Sequence, residues 1–179
     1  MCSSDLQLLG IACGINEYQA DLLLNASPMH DIGKIGIPDH ILLKPGKFEP
    51  EEWEIMKTHA QIGANILSGD DSELLAMARE IALSHHEKWD GSGYPNALSG
   101  ENIPLTGRIC AVADVFDALT SARPYKKAWA VDDAVKFMNE QSGSHFDPAM
   151  IDHFNKLLPE VLKIKADFSE PEELDGTQL

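Results

Sequence analysis

The chain is 179 residues long and 44% hydrophobic, with 14 Lys and Arg against 29 Asp and Glu and a net charge of −15. That length suits one domain with a substantial core, and no apolar run approaches the roughly 20 residues a bilayer span needs. A field this negative excludes general coating of nucleic acid or of an anionic membrane, so an anionic substrate must be met by local cations.

Residues 1–6, MCSSDL, are what a common sequencing-library adapter ending GTGTGCTCTTCCGATCT encodes when GTG is taken as the start codon. They are therefore read as non-native, beside the plainer alternative of a genuine short N-terminus, with the natural gene extending upstream and the domain running from residue 7 to 165. LQLLGIACG reads as the tail of a helix whose beginning is missing. Asn16 can cap a second helix running to about His30, which Gly33 and Gly36 break. IPDHILLKPGKFEP, with three prolines, reads as a loop. A third helix follows Pro50, with Glu51, Glu52 and Glu54 near its start and an apolar stripe of Trp53, Met56, Ala60, Gly63 and Leu67. A fourth spans about 72–87, with Leu75, Ala78 and Ala82 on one face, and a Gly/Pro-rich loop covers 90–107. The fifth, about 108–121, has the clearest period, in Ile109, Val112, Ala113, Phe116 and Leu119. Helices near 131–141 and after Pro148 complete an all-α bundle of about six to seven helices, with no sustained strand pattern and no internal repeat. Five acids and no base between Asp167 and Asp175 mark residues 166–179 as a mobile, solvated tail. Cys2, Cys13 and Cys110 lack a paired spacing, which argues against disulfides and for a reducing cytoplasm; nothing resembles a secretion signal.

The histidines then take on a pattern. His30 ends the second helix beside Asp31. His59 falls on the stripe of the third, His85 continues the inward face of the fourth with His86 adjoining, and Asp114 and Asp117 flank the inward face of the fifth. The steps Asp31–His59, His59–His86 and His86–Asp114 are 28, 27 and 28 residues, separations that let antiparallel helices return to one level. Taken singly, each histidine reads as a hydrogen-bonded core residue, and Asp114 could equally pair with Arg108. Taken together, buried imidazoles and carboxylates are satisfied by divalent metals, and adjacent histidines at a helix end can reach two neighbouring ions. Six such ligands exceed what one ion needs, and two ions about 4 Å apart activate water and clamp a phosphate. His40, His145 and His153 read as loop or surface residues.

HDIGKIGIPD (30–39), HAQIGANIL (59–67), HHEKWDGSGYP (85–95) and ADVFDALTSARPYK (113–126) closely resemble the HD-GYP domains, a bacterial branch of the HD phosphohydrolases that degrade cyclic di-GMP. The likeness runs from about Gln7 to Phe154, and GSHFDP (143–148) fits it as well. The resemblance implies an HD-type helical bundle with a GYP loop, and His30, Asp31, His59, His85, His86 and Asp114 as ligands of two or three divalent ions, iron or manganese. It implies Asp31 as bridging ligand, Lys34 on the scissile phosphate, and Arg123 and Lys126 on substrate phosphate. Tyr94 would line the pocket, although it reads equally well as a packing anchor in a turn, and Lys34 taken alone reads as an exposed helix-end lysine. Gly91 and Gly93 are read as permitting unusual backbone angles.

The activity implied is opening of cyclic di-GMP to pGpG, and onward to GMP. The implied partners are an upstream receiver or sensor domain, GGDEF-type proteins and a second copy in a homodimer. The family's further metal-binding histidine in a preceding helix would fall before Met1, which leaves the activity of the chain as given open. Two alternatives stand beside this reading: an HD-type phosphohydrolase of other nucleotides, and a non-catalytic module that senses cyclic di-GMP or docks on proteins.

Overall fold

The computed structural model describes residues 3–69, 72–122 and 127–167, and within them every regular element is helical. Helix α1 (Ser3–Ala12) leads to α2 (Glu17–Ala26). The Asn16 side chain accepts from the Gln19 amide at 2.9 Å while the Gln19 side chain takes the Asn16 amide at 3.4 Å, a reciprocal cap that sets the start of α2. Leu6, inside the segment read as adapter-derived, is fully buried beside Leu9 in the core.

Helix α2 stops before the expected His30. Pro28 has no amide hydrogen, and the chain tightens into a 3-10 turn over Ser27–Met29 and a second over Ile32–Gly36. His30 and Asp31 lie between these turns. The expected loop after Ile37 contains a single turn of helix, α3 (Asp39–Leu42).

The expected third helix is two. Helix α4 (Pro50–Lys57) and helix α5 (His59–Ile66) meet at Thr58, whose hydroxyl donates to the Ile55 carbonyl at 2.6 Å. Such back-bonding competes with the backbone ladder and bends helices. Trp53 leaves the expected stripe and stands 42% exposed, while Met56, Ala60, Gly63 and Leu67 are buried. Helix α6 (Glu73–Ser84) ends just before His85, and α7 begins earlier than expected, at Leu105, and runs to Thr120. Helices α8 (Val131–Glu140) and α9 (Pro148–Asp167) follow. The split at Thr58 and the single-turn α3 account for the additional elements relative to six or seven.

Helix α7 is the centre of the bundle. Its Ile109, Val112, Phe116 and Leu119 are buried in the core where α7 packs on α1, α6, α8 and α9, each such side chain contributing about 1.5–3 kcal/mol. A smaller apolar group of Ile37, Ile41 and Met56, with Phe48 packed on it, seats the segment after Asp31 under α4. Arg108 donates to Asp147 at 2.7 Å and to the Ile103 carbonyl at 3.0 Å, and lies over the Trp89 ring. The pairing of Arg108 with Asp114 left open by the sequence is thus not made. The described helices contain none long and apolar enough to cross a membrane. The acidic tail beyond Asp167, and Arg123 and Lys126, lie outside the described residues.

Candidate functional site

The 3-10 turn after Asp31 lies directly on α5. A Cβ on Gly33 would stand 1.9 Å from the His59 carbonyl oxygen and 2.4 Å from the Gly63 nitrogen. Only a residue without a side chain allows this approach, and it brings Asp31 against His59. His85 is the residue capping α6, so its ring enters the same space from a helix end, and His86 follows with ring centroids 3.9 Å apart.

One ligand atom each from Asp31, His59, His85 and His86 lie within 4.8 Å of one another. Asp31 is the hub. Its Oδ1 is 3.4 Å from His59 Nε2 and 3.8 Å from His85 Nε2, and its Oδ2 is 3.3 Å from His30 Nε2. His30 Nε2 is in turn 3.7 Å from Asp114 Oδ1, which connects α7 to the group. All six sequence-predicted ligands therefore converge, four tightly and His30 with Asp114 alongside.

The far side of each ring determines what the near side offers. His30, His59 and His85 each place Nδ1 on a backbone carbonyl: Ser27 at 2.7 Å, Met56 at 2.7 Å and Ile81 at 3.0 Å. A carbonyl only accepts, so Nδ1 carries the hydrogen, and the neutral rings of His59 and His85 present a lone pair at Nε2. Asp31 Oδ1, His59 Nε2 and His85 Nε2 are buried with no hydrogen-bond partner. Three acceptors facing one another without a donor are destabilising. A divalent cation removes the conflict, with carbonyl-oriented imidazoles of the kind seen around metals. The residues present fit such an ion.

Protonation follows the same logic. Burial drives His59, His85 and His86 below the ordinary imidazole value, His85 to about 3, with the charge of neighbouring histidines adding to the effect. Burial also pulls on His30, but the hydrogen bond and charge of Asp31, the Ser27 carbonyl and Asp114 outweigh it and raise its pKa. Burial works against Asp31 ionising, yet the hydrogen bonds and charges of His30 and Lys34 hold its carboxyl well below the carboxylate range. Lys34 Nζ donates to Asp31 Oδ2 at 2.6 Å and remains partly exposed.

Tyr94 stacks on His86, with ring centroids 4.7 Å apart and 26° between planes, and burial with the charges of Asp31 and Asp114 pushes its phenol up. It is both packed and beside the cluster. The loop that carries it is held by a residue sequence reasoning missed. Glu87, 2% exposed, accepts the Asn96 amide at 2.7 Å and the Leu98 amide at 3.0 Å. Its signal was a glutamate directly after the paired histidines and before a glycine-rich loop whose amides need acceptors. Gly91 has φ +82°, as expected, whereas Gly93 serves by close approach: a Cβ there would meet the Lys88 nitrogen at 2.3 Å. His145, read as a loop or surface residue, lies in the loop before α9, half-buried and stacked on Phe146, and burial lowers its pKa to about 4. His40 is exposed and His153 half-buried, both away from the cluster.

Residues 12–150 match the family described as HD domain. A "3′3′-cGAMP-specific phosphodiesterase 2" of Vibrio cholerae is 48% identical over 153 residues, covering 86% of this chain and 29% of that protein. A "cyclic di-GMP phosphodiesterase" of the same species is 51% identical over 155 residues, covering 84% of this chain and 32% of its own length. The chain thus spans about a third of the length of these curated relatives. Among solved structures, an HDGYP protein of Bdellovibrio bacteriovorus shares the fold, with a TM-score of 0.68 at 20% identity, covering 88% of this chain and 50% of that one. With its paired histidines, its HD pair and its GYP loop gathered around one carboxylate, the chain belongs to the HD domain family, in the HD-GYP branch.

Proposed function

We propose that the chain is a metal-dependent phosphodiesterase that opens cyclic di-GMP to pGpG, and onward to GMP, in bacterial second-messenger signalling. The observation that carries the reading is the meeting of Asp31 Oδ1, His59 Nε2 and His85 Nε2 without a donor. His30, Asp31, His59, His85, His86 and Asp114 would hold two or three divalent ions, iron or manganese, with Asp31 as their shared ligand. Ions held there would supply an activated water and the charge that neutralises phosphate oxygens. Lys34 Nζ moves from Asp31 to a non-bridging oxygen of the scissile phosphate and stabilises the charge that develops on it. Arg123 and Lys126 hold the second phosphate. Tyr94 excludes water from the side of His86.

The curated relatives named for cyclic di-GMP support this substrate, and the relative named for 3′3′-cGAMP favours a second reading in which the mixed dinucleotide is preferred. The same resemblance supports an upstream receiver or sensor domain as regulator, GGDEF-type proteins as partners, a homodimer and a cytoplasmic location. Metal-loaded protein assayed against cyclic di-GMP, 3′3′-cGAMP and a panel of mononucleotides decides the substrate. Asp31→Ala abolishes turnover of the preferred dinucleotide while circular dichroism stays helical; retained turnover in that variant contradicts the assignment.

A further inference from the structure

We infer that Trp53 is a shelf on which a purine of the substrate stacks, so that α4 contributes to substrate selection. The inference rests on the phosphodiesterase reading above and deepens it.

Trp53 is 42% exposed on the first turn of α4, among Glu51, Glu52 and Glu54. It is nonetheless held in place. Phe48, itself packed on Ile37, Ile41 and Met56, stacks with the indole at a centroid distance of 6.1 Å and 21° between planes. Tyr94 meets it edge-on at 5.9 Å and 83°. Since Tyr94 stacks on His86, only two ring contacts separate the open indole from the cluster. Lys57, one turn further along α4, places Nζ 6.0 Å from the Tyr94 centroid.

In a cyclic dinucleotide each base is one ribose away from a phosphate. A phosphate at Asp31 therefore carries its base outward past Tyr94, where a fixed aromatic surface stands open. Base-on-indole stacking uses the π-face common to all bases. The shelf thus favours purines for their larger overlap but does not tell guanine from adenine. Trp53 consequently contributes equally to holding cyclic di-GMP and 3′3′-cGAMP, and discrimination between them arises elsewhere.

The test combines binding and kinetics on the wild-type protein, Trp53→Ala and Trp53→Phe. In protein as purified, cyclic di-GMP quenches indole emission in the wild type, and the quench is lost in Trp53→Phe, which retains Trp89 and Trp129. In metal-loaded protein, Trp53→Ala raises KM about tenfold or more for both dinucleotides, in line with stacking on an aromatic. Its kcat and metal content stay near wild type, and Trp53→Phe recovers most of the KM. An unchanged KM in Trp53→Ala, a quench persisting in Trp53→Phe, or a fall in kcat with loss of metal overturns the shelf while leaving the phosphodiesterase reading intact. Wild-type protein that turns over neither dinucleotide overturns that reading, and the shelf with it.

Discussion

Gly33 and His145 show how single positions govern the site and the fold. The missing side chain at Gly33 lets the turn after Asp31 rest on the His59 carbonyl. Gly33→Ala forces the two apart and costs about 1–3 kcal/mol, as overpacking does. Because the displaced segment carries Asp31, the variant also loses bound metal, which elemental analysis measures together with the urea midpoint. His145 gives a pH signature. Its folded pKa of about 4 lies below the ordinary 6.5, so the unfolded chain takes up the proton first. The stability it contributes is complete above pH 6.5 and declines as pH falls from 6.5 towards 4, by roughly 2 kcal/mol once screening at a half-buried ring is allowed for. Urea midpoints at pH 7 and pH 5 converge in His145→Phe relative to wild type; an unchanged gap refutes this origin.

At the level of elements, α7 was readable because Ile109, Val112, Ala113, Phe116 and Leu119 recur at helical spacing and are all buried, and Asn16 announced α2 through its capping chemistry. The spacing of Asp31, His59, His86 and Asp114 likewise foretold their convergence. The division at Thr58 was not readable, because a hydroxyl turning back on the Ile55 carbonyl is a choice made in the folded chain. Glu87 escaped for a related reason: a charged residue after a helix reads as solvated until loop amides nine and eleven residues away are seen to close on it. Glu87→Gln leaves a side-chain NH2 facing one of those amides. It costs on the order of 1–3 kcal/mol, and hydrogen exchange at Asn96 and Leu98 accelerates. Exchange at wild-type rates in both amides would show that the loop is held by something else.

At the scale of the whole molecule, the cluster draws on the junction of the two 3-10 turns that follow α2, the start of α5, the end of α6 and the middle of α7. Anything that binds there binds the folded chain and not the unfolded one, so occupancy adds to global stability. Stripping the metal-loaded protein with a chelator lowers its unfolding free energy by about 2–3 kcal/mol, read from the shift of its urea midpoint, where free metal had stood near a hundred times its Kd. Asp31→Ala shows no such difference between loaded and stripped forms. A wild-type midpoint indifferent to chelator would mean that no ion is seated among these helices.

The imidazoles of His30, His59 and His85 are each tethered to a carbonyl three or four residues earlier in the chain. Turning any of these rings means breaking its bond to the adjoining helical turn, so their rotamers are frozen when the protein folds and not when a cation arrives. Capture therefore demands little reordering from these three ligands. A cage of this stiffness selects guests by radius and preferred coordination geometry, since it has scant freedom to reshape itself around a poor fit.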